Sequence, residues 1–469
     1  MRQLSGIDSM FLFHETAAQP MHIGTLSIFD PSTAPDRSVR FKRIIKTIQE
    51  RAHLAPHLRE RLFEVPFHAD FPYWVRDPSF DPEFHIRHIA LPKPGDWRQL
   101  CIQVARLYSR PLDRSRPLWE LYVIEGLDNV DGAAAGSFAT VTKTHHAAID
   151  GKSAADISTA LCDPTPEIRD LPDPGNWDTD KAPSASELAL LAFQSNAMKP
   201  LKYMEFAQKA MSGWTNGIKA LAEQALETKP PVPRTRFNGT VSPHRVFEGL
   251  NYSLDEIREI KSKAGGTVND VVLAICAGAL RRYLEAHDEL PEETLVSMCP
   301  ISVRDPNSSA HGGNEVTSMA VSLKTDIADP RERLSAITVE TRNAKELTNA
   351  IGAKNMVEAA NFMPTQLAAM GARVAAEQGL ANYAQPVFNT VITNVPGSRT
   401  PIYSNGAEHV NSFGLGLCAD GNGLFHAVTS YCGHLTISIT CCREMMPDPS
   451  FYAECLQESF DALKAAYAD

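Results

Sequence analysis

No run of apolar residues in this chain is long enough to cross a bilayer. The longest, Val271 to Leu280, is about half of the ~20 residues that a spanning helix needs. Any membrane contact is therefore expected from one side only. The opening residues MRQLSGIDSMFLFHE lack the basic start and long apolar core of a secretory leader, so none is expected. Positive charge is not in excess: 45 Lys and Arg against 56 Asp and Glu leave a net −11, which argues against a nucleic-acid partner. An anionic ligand would need a locally basic patch. The nine cysteines show no CxxC spacing and Cys441 adjoins Cys442, which fits the reduced thiols of a cytosolic chain. His85 and His88 are spaced HxxH, yet the alternation of FHIRHIALP reads as a strand that sends them to opposite faces. No metal site is expected. No covalent nucleophile is expected either, because no cysteine, and no serine near the motif described below, has a base at a diagnostic spacing.

What is present is ordinary globular composition, with 43% hydrophobic and 22% charged residues. The 469 residues exceed what one core serves, so two domains are expected. The first zone, 1–165, mixes strand patterns (Gly24–Asp30, Phe84–Pro92, Trp119–Leu127, Ser137–Thr144) with helical spacing at Ser38–Ala52, Trp97–Tyr108 and Lys152–Leu161. The second, 166–244, opens rich in Pro and Asp and then turns helical from Ser184 to Thr228. It reads as a linker whose helices pack on one domain, with an amphipathic lipid-touching surface as the alternative. The third, 245–469, repeats the α/β mix. Strands are expected at Arg245–Leu254, Thr294–Arg304, Glu315–Thr325, Pro386–Asn394, Gly423–Tyr431 and Leu435–Cys442. Helices are expected at Asp255–Ala264, Asn269–Ala286, Pro330–Leu347, Asn355–Gln378 and Ser450–Ala466.

The most specific stretch is His145-His146-Ala147-Ala148-Ile149-Asp150-Gly151, an HHxxxDG run at the end of an apolar strand. Four fixed residues in seven arise by chance on the order of once in a thousand such chains. Imidazole titrates near neutrality, so it can take a proton from an attacking hydroxyl and return it to a leaving group. His146 is the candidate general base. His145, on the opposite side of an ideal strand, is expected to support the loop through a hydrogen bond. Gly151 permits a tight turn and a close backbone approach.

The motifs together resemble the bacterial wax ester synthase/diacylglycerol acyltransferase family. LSGIDSMFLFHE with Pro20–Gly24, Pro117-Leu118-Trp119, HHAAIDG, Asn269–Ala274 (NDVVLA), Pro300–Arg304 (PISVR), Gly313–Met319 and Thr393–Gly397 (TNVPG) follow in the family's order across nearly the whole chain. Thr393 stands where the family commonly has Ser, which keeps the hydroxyl. The resemblance implies an α/β fold of two chloramphenicol-acetyltransferase-like domains, each a mixed sheet flanked by helices, with an active-site tunnel at their interface. It also implies that a C-terminal segment crosses over to complete the N-terminal sheet. It assigns the base role to His146 and turns Asp150 away from substrate into an ion pair, for which Arg304 is the expected partner.

An oxyanion stabiliser is required where charge develops on the former carbonyl oxygen. Gly151 N–H, Asn269, Thr393 and Asn394 are the candidates, with a helix N-cap as the competing role for Asn269. Asp270 is grouped with them as a supporting residue, and Pro117, Leu118 and Trp119 are expected to shape and pack the loop. The activity implied is acyl-CoA-dependent O-acyl transfer to a long-chain alcohol or to diacylglycerol. Acyl-CoA is a co-substrate rather than a cofactor, its phosphate-binding residues are not legible, and the expected setting is cytoplasmic, with peripheral contact to the inner membrane face or lipid inclusions as the further option. Two rivals share the chain: a polyketide, glycolipid or condensation-type acyltransferase of the same fold, and a non-catalytic lipid-surface protein.

Overall fold

The computed structural model describes residues 1–148, 161–169, 171, 180–197, 231–302, 316–351 and 365–468. Two six-stranded mixed sheets organise them. The N-terminal sheet has the order β12-β13-β2-β7-β6-β5. Its strands are β2 (His22–Asp30), β5 (Ile86–Ala90), β6 (Trp119–Glu125), β7 (Phe138–His145), β12 (Tyr403–Ser404) and β13 (Ala407–Leu415). The C-terminal sheet runs β10-β9-β11-β14-β15-β8. It contains β8 (Arg245–Ser253), β9 (Val296–Ser302), β10 (Val316–Ser322), β11 (Thr390–Pro396), β14 (Leu424–Tyr431) and β15 (His434–Cys442). A small antiparallel sheet of β1 (Arg2–Gln3), β4 (Tyr73–Arg76) and β3 (Glu60–Phe63) lies apart.

The crossover implied by the resemblance is present. β13 lies more than two hundred positions beyond any other N-terminal strand except β12, yet pairs antiparallel with β2 from Leu415↔Gly24 to Glu408↔Asp30. It also touches the second sheet. Thr436 Oγ1 donates to the Ser412 carbonyl at 2.8 Å, Ser438 Oγ to the Gly414 carbonyl at 2.7 Å, and Gly416 N–H to Thr440 Oγ1 at 3.2 Å. The hydroxyl stripe of β15 thus satisfies backbone groups of a strand in the other sheet. A Cβ on Gly414 would stand 2.6 Å from the Ala427 side chain, so the approach depends on its absence. Strands from beyond residue 245 thus complete the N-terminal sheet, so the two sheets do not divide the chain at one point.

Helices cover the sheets: α1 (Gly6–His14), α2 (Phe41–Arg51), α3 (Pro82–His85), α4 (Trp97–Tyr108), α5 (185–197), α6 (Leu254–Ala264), α7 (Val268–Ala286), α8 (Pro330–Ile351), α9 (Thr365–Glu377) and α10 (Pro449–Ala466). α7 is apolar on every side from Val271 to Ala277 and forms the centre of the C-terminal core. α10 packs on it so closely that a Cβ on Gly278 would sit 2.1 Å from Ser459 Oγ. Thr267 caps α7 and forms a capping box with Asp270, which corrects the expectation that Asn269 could be the cap. Asn269 lies one position inside the first turn and is half-buried.

The segment read as a linker is partly structural. In the described part of its helical stretch, Leu188 and Ala192 pack against Val65, Tyr73 and Val75 of the N-terminal half. Its last residues join the other half, with Phe237 fully buried in the C-terminal core. Residues 198–228, the rest of the expected helical stretch, lie outside the described residues, as does most of the expected helix at 152–161. Among the described residues no single helix is long and apolar enough to cross a membrane.

Candidate active site

β7 delivers the two histidines. It is antiparallel to β2 and β6, and the register sets His145 opposite His22. At His146 the strand stops and one 3-10 turn, His146–Ala148, begins. Both neighbouring chains hold that exit point. His145 N–H donates to the Leu118 carbonyl at 3.0 Å, and His146 N–H to the Met21 carbonyl at 2.8 Å. The Pro117-Leu118-Trp119 run therefore acts through its backbone at the strand end. Its side chains are buried, and Trp119 Nε1 donates to the Leu58 carbonyl at 2.8 Å.

His145 braces the turn from inside. Its Nδ1 accepts the Ala147 N–H at 3.1 Å, which requires any proton of the neutral ring to sit on Nε2. Nε2 faces Glu15 Oε1 at 3.5 Å, with both side chains buried. The distance is an electrostatic contact rather than a well-formed hydrogen bond. Arg114 closes the chain, donating from Nε to Glu15 Oε2 at 2.7 Å and from Nη2 to the Leu12 carbonyl at 2.8 Å. Burial pushes the Glu15 carboxyl up, but His145 and Arg114 outweigh it and hold it down at about 2. Lys143, on the same face of β7 as His145, is fully buried and donates to the Arg110 carbonyl at 2.6 Å, pinning the loop that carries Arg114.

His146 differs from its neighbour in being half-buried rather than sealed. Phe11 of α1 stacks on its ring, with centroids 3.9 Å apart and planes 16° from parallel. Nδ1 is shut from solvent and has no well-formed hydrogen bond among the described residues. Desolvation pushes the imidazolium pKa down to about 4; a contact with the residue's own backbone acts against this, and the His145 ring adds to it. The ring is neutral at physiological pH.

The remaining sequence candidates fall in several places. Asp150, Gly151 and Arg304 lie outside the described residues. Asp270 is buried and structural: Oδ2 accepts from Thr267 N and Oγ1 at 2.7 and 2.8 Å, and Oδ1 accepts from Thr341 Oγ1 at 2.7 Å. Thr393 and Asn394 sit half-buried on β11, where Thr393 Oγ1 donates to the His426 carbonyl at 3.4 Å. Asn269, Thr393 and Asn394 make no hydrogen bond to His145 or His146 among the described residues. His85 is buried against Trp119, its Nδ1 2.8 Å from the Trp119 carbonyl, while His88 pairs with Glu125 at the surface. The described residues hold no cluster of three or more His, Cys, Asp or Glu suited to a metal ion. Sequence reasoning missed Phe11, Glu15 and Arg114 as site residues. Phe11 and Glu15 stand in the opening motif and Arg114 three positions before Pro117, so proximity to motifs was the one available signal.

The sequence model described as the wax ester synthase/diacylglycerol acyltransferase catalytic domain matches residues 4–272. The chain belongs to that family. The WS/DGAT C-terminal domain matches residues 312–464. A candidate diacylglycerol O-acyltransferase of Mycobacterium tuberculosis (strain ATCC 25618 / H37Rv), Rv1760, is 31% identical over 96% of this chain and 87% of its own length. A second from that strain, Rv3740c, is 33% identical over 99% of both chains. Among solved structures, the wax ester synthase/diacylglycerol acyltransferase from Marinobacter aquaeolei VT8 superposes with a TM-score of 0.71 at 28% identity, covering both chains completely. The trichothecene 15-O-acetyltransferase TRI3 from Fusarium sporotrichioides, at 12% identity and TM-score 0.59 over 98% of this chain and 94% of its own, shares the fold. This WS/DGAT member is thus an acyltransferase whose two mixed sheets match the wider acyltransferase and condensation-domain fold.

Proposed function

We propose that the chain transfers a fatty acyl group from coenzyme A to the hydroxyl of diacylglycerol or a long-chain alcohol, with His146 as general base. The observation that carries this reading is the neutral imidazole of a half-buried histidine, on a turn held by two backbone hydrogen bonds, with Nδ1 closed to solvent. Nε2 is then the nitrogen left for substrate. The alcohol oxygen gives its proton to Nε2 as it bonds to the thioester carbonyl carbon. The tetrahedral intermediate collapses, the carbon–sulfur bond breaks, and the imidazolium returns the proton to the thiolate. Ester and free coenzyme A leave.

Burial serves both halves of this cycle. A ring that resists protonation is available as a base, and once protonated it is a strong acid toward the thiolate. Negative charge building on the nearby intermediate raises the ring's proton affinity when transfer needs it. Donor and acceptor meet directly, without an acyl-enzyme. Asp150 and Arg304 are proposed as the ion pair that holds the loop, and Gly151, Asn269, Thr393 and Asn394 remain the proposed oxyanion donors.

The test supplies purified protein with palmitoyl-CoA and either hexadecanol or dipalmitoylglycerol and follows thiol release and ester formation. His146→Ala is expected to lower kcat by about 10²–10⁴-fold. Unchanged turnover in that variant would overturn the assignment.

A further inference from the structure

No hydrogen bond among the described residues fixes the plane of the His146 ring. Nδ1 has no well-formed partner there, and the ring's polar contact is with the residue's own backbone. In Ser-His-Asp sites a carboxylate on Nδ1 sets the orientation of the base. An unrestrained imidazole swings about χ2, a terminal torsion with broad wells. Such a swing takes Nε2 out of line with an attacking hydroxyl, and a displacement of about 1 Å can cost on the order of a hundredfold in rate.

What meets the ring is the phenyl face of Phe11, with centroids 3.9 Å apart and planes 16° from parallel. We infer that Phe11 is a positioning residue whose phenyl face fixes the plane of the His146 ring, and with it the direction of Nε2, an inference that rests on the base role proposed above. α1 makes that face a fixed platform. Leu4 N–H donates to the Pro72 carbonyl at 2.8 Å just before the helix, and Ser5 Oγ accepts the Asp8 N–H at 3.1 Å to cap it. Arg114 Nη2 holds the far end through the Leu12 carbonyl at 2.8 Å. Between these ties Leu12 is buried with Trp74 and Leu118, and Phe11 packs on the same cluster as Ala147 and Ala148 of the histidine turn. Helix and turn are thus one packed body, and the two rings keep their separation. Turning the imidazole about χ2 would drive its edge into the phenyl face, whereas a rounded aliphatic side chain would let it tip. The same face meets the imidazolium formed during transfer, and a cation within about 6 Å of a phenyl centroid is attracted to it.

Phe11→Leu removes the flat face while keeping an apolar side chain on α1, and Phe11→Tyr keeps the face. With palmitoyl-CoA and hexadecanol, Phe11→Leu is expected to lower kcat about tenfold or more while both KM values stay within about twofold. Phe11→Tyr should keep kcat within about threefold of the unsubstituted chain. Phe11→Met, flexible and without a face, should behave as Phe11→Leu does and carries the test if the leucine chain does not fold. With isotopically labelled histidine, the His146 Cε1 proton is identified by its loss in His146→Ala. The phenyl ring current should shift it upfield, and Phe11→Leu should return it toward the position of a free imidazole. A folded Phe11→Leu chain with unchanged kcat, a Phe11→Tyr chain as slow as Phe11→Leu, or a higher KM without a lower kcat would overturn the positioning role and leave the base role standing. Turnover that survives His146→Ala would overturn the base role itself.

Discussion

If His146 is the base proposed above, the opposing demands on it are met by position rather than by a partner. The ring has lost enough water to resist protonation, while the residue as a whole is only half-buried. Its lowered pKa, about 4, predicts that kcat/KM stays level from about pH 8 to about pH 5 and falls with an apparent pKa near 4. A limb near 6.5 in the measured profile would show a ring still bathed in water. The same shift acts on stability with a definite sign. The unfolded chain takes up the proton near 6.5 and the native ring near 4, so native stability falls as pH drops through that window. Glu15 works at lower pH. Its carboxyl is held at about 2 against an ordinary 4.5, so its contribution is complete above 4.5 and disappears as pH falls toward 2, worth roughly 3 kcal/mol at most. Glu15→Gln should lower the melting temperature at pH 7 but by much less at pH 3. It should also reduce kcat, because His145 loses the charge behind it. A melting-temperature deficit that is the same at both pH values would show that the carboxylate is not ionised in the native state.

Among the elements, α7 shows a motif residue, Asp270, in a structural role. NDVVLA opens a helix whose cap is the preceding Thr267, and Asp270 answers that cap from the third helical position. Asp270 also accepts a hydrogen bond from Thr341 of α8, joining two helices of the C-terminal core. Thr267→Ala is expected to cost about 1 kcal/mol of stability, read as a shift in the denaturation midpoint, with kcat/KM unchanged. A selective loss of activity in a chain of normal stability would instead tie this helix start to the reaction. β7 shows the complementary case. Its alternation continues to His145 and then gives way to a 3-10 turn, so adjacent histidines receive different surroundings. One is sealed against Glu15, and the other is half-buried and stacked on Phe11.

For the whole molecule, the site depends on two sheets being held together by a strand that belongs to both halves. β13 pairs with β2, which pairs with β7, which ends at the histidines. Just past β13, Gly416 accepts from Tyr108 OH at 3.0 Å, and its missing Cβ would stand 1.9 Å from the Phe425 ring. Tyr108 OH lies closer still to the carbonyl of His22, at 2.6 Å, a residue opposite His145 in the sheet. Gly416→Val should therefore push the sheets apart, costing about 1–3 kcal/mol or more through overpacking. It should also lower kcat for both acceptor alcohols, because the strand that ends at His145 shifts with its neighbours. Full activity in this variant would mean that the proposed site at the His146 turn is independent of the crossover. A second long-range tie is the buried pair of Arg51 and Asp163 at 2.9 Å, which Arg169 joins at 2.5 Å. It fixes the start of the Pro- and Asp-rich segment to α2 and, through the bridge between Asp163 and Tyr403, to β12.

The sequence by itself determined most of the main strands and helices and singled out the paired histidines. α4 begins and ends where its apolar spacing says, α6 ends at Ala264 as its pattern says, and HHxxxDG singles out His145 and His146 without any coordinates. These features are legible because side-chain periodicity, capping chemistry and motif spacing are local and act within one or two turns. Only the tertiary structure decided what surrounds the imidazole. Glu15, Arg114 and His145 are separated by some thirty to a hundred and thirty positions, and the lone carboxylate and guanidinium carry no pattern until burial makes pairing obligatory. The crossover strand is the same kind of case. AEHVNSFGL alternates too irregularly to announce a strand, and its place between β2 and β12 follows from long-range backbone pairing and close packing, which no local signal encodes.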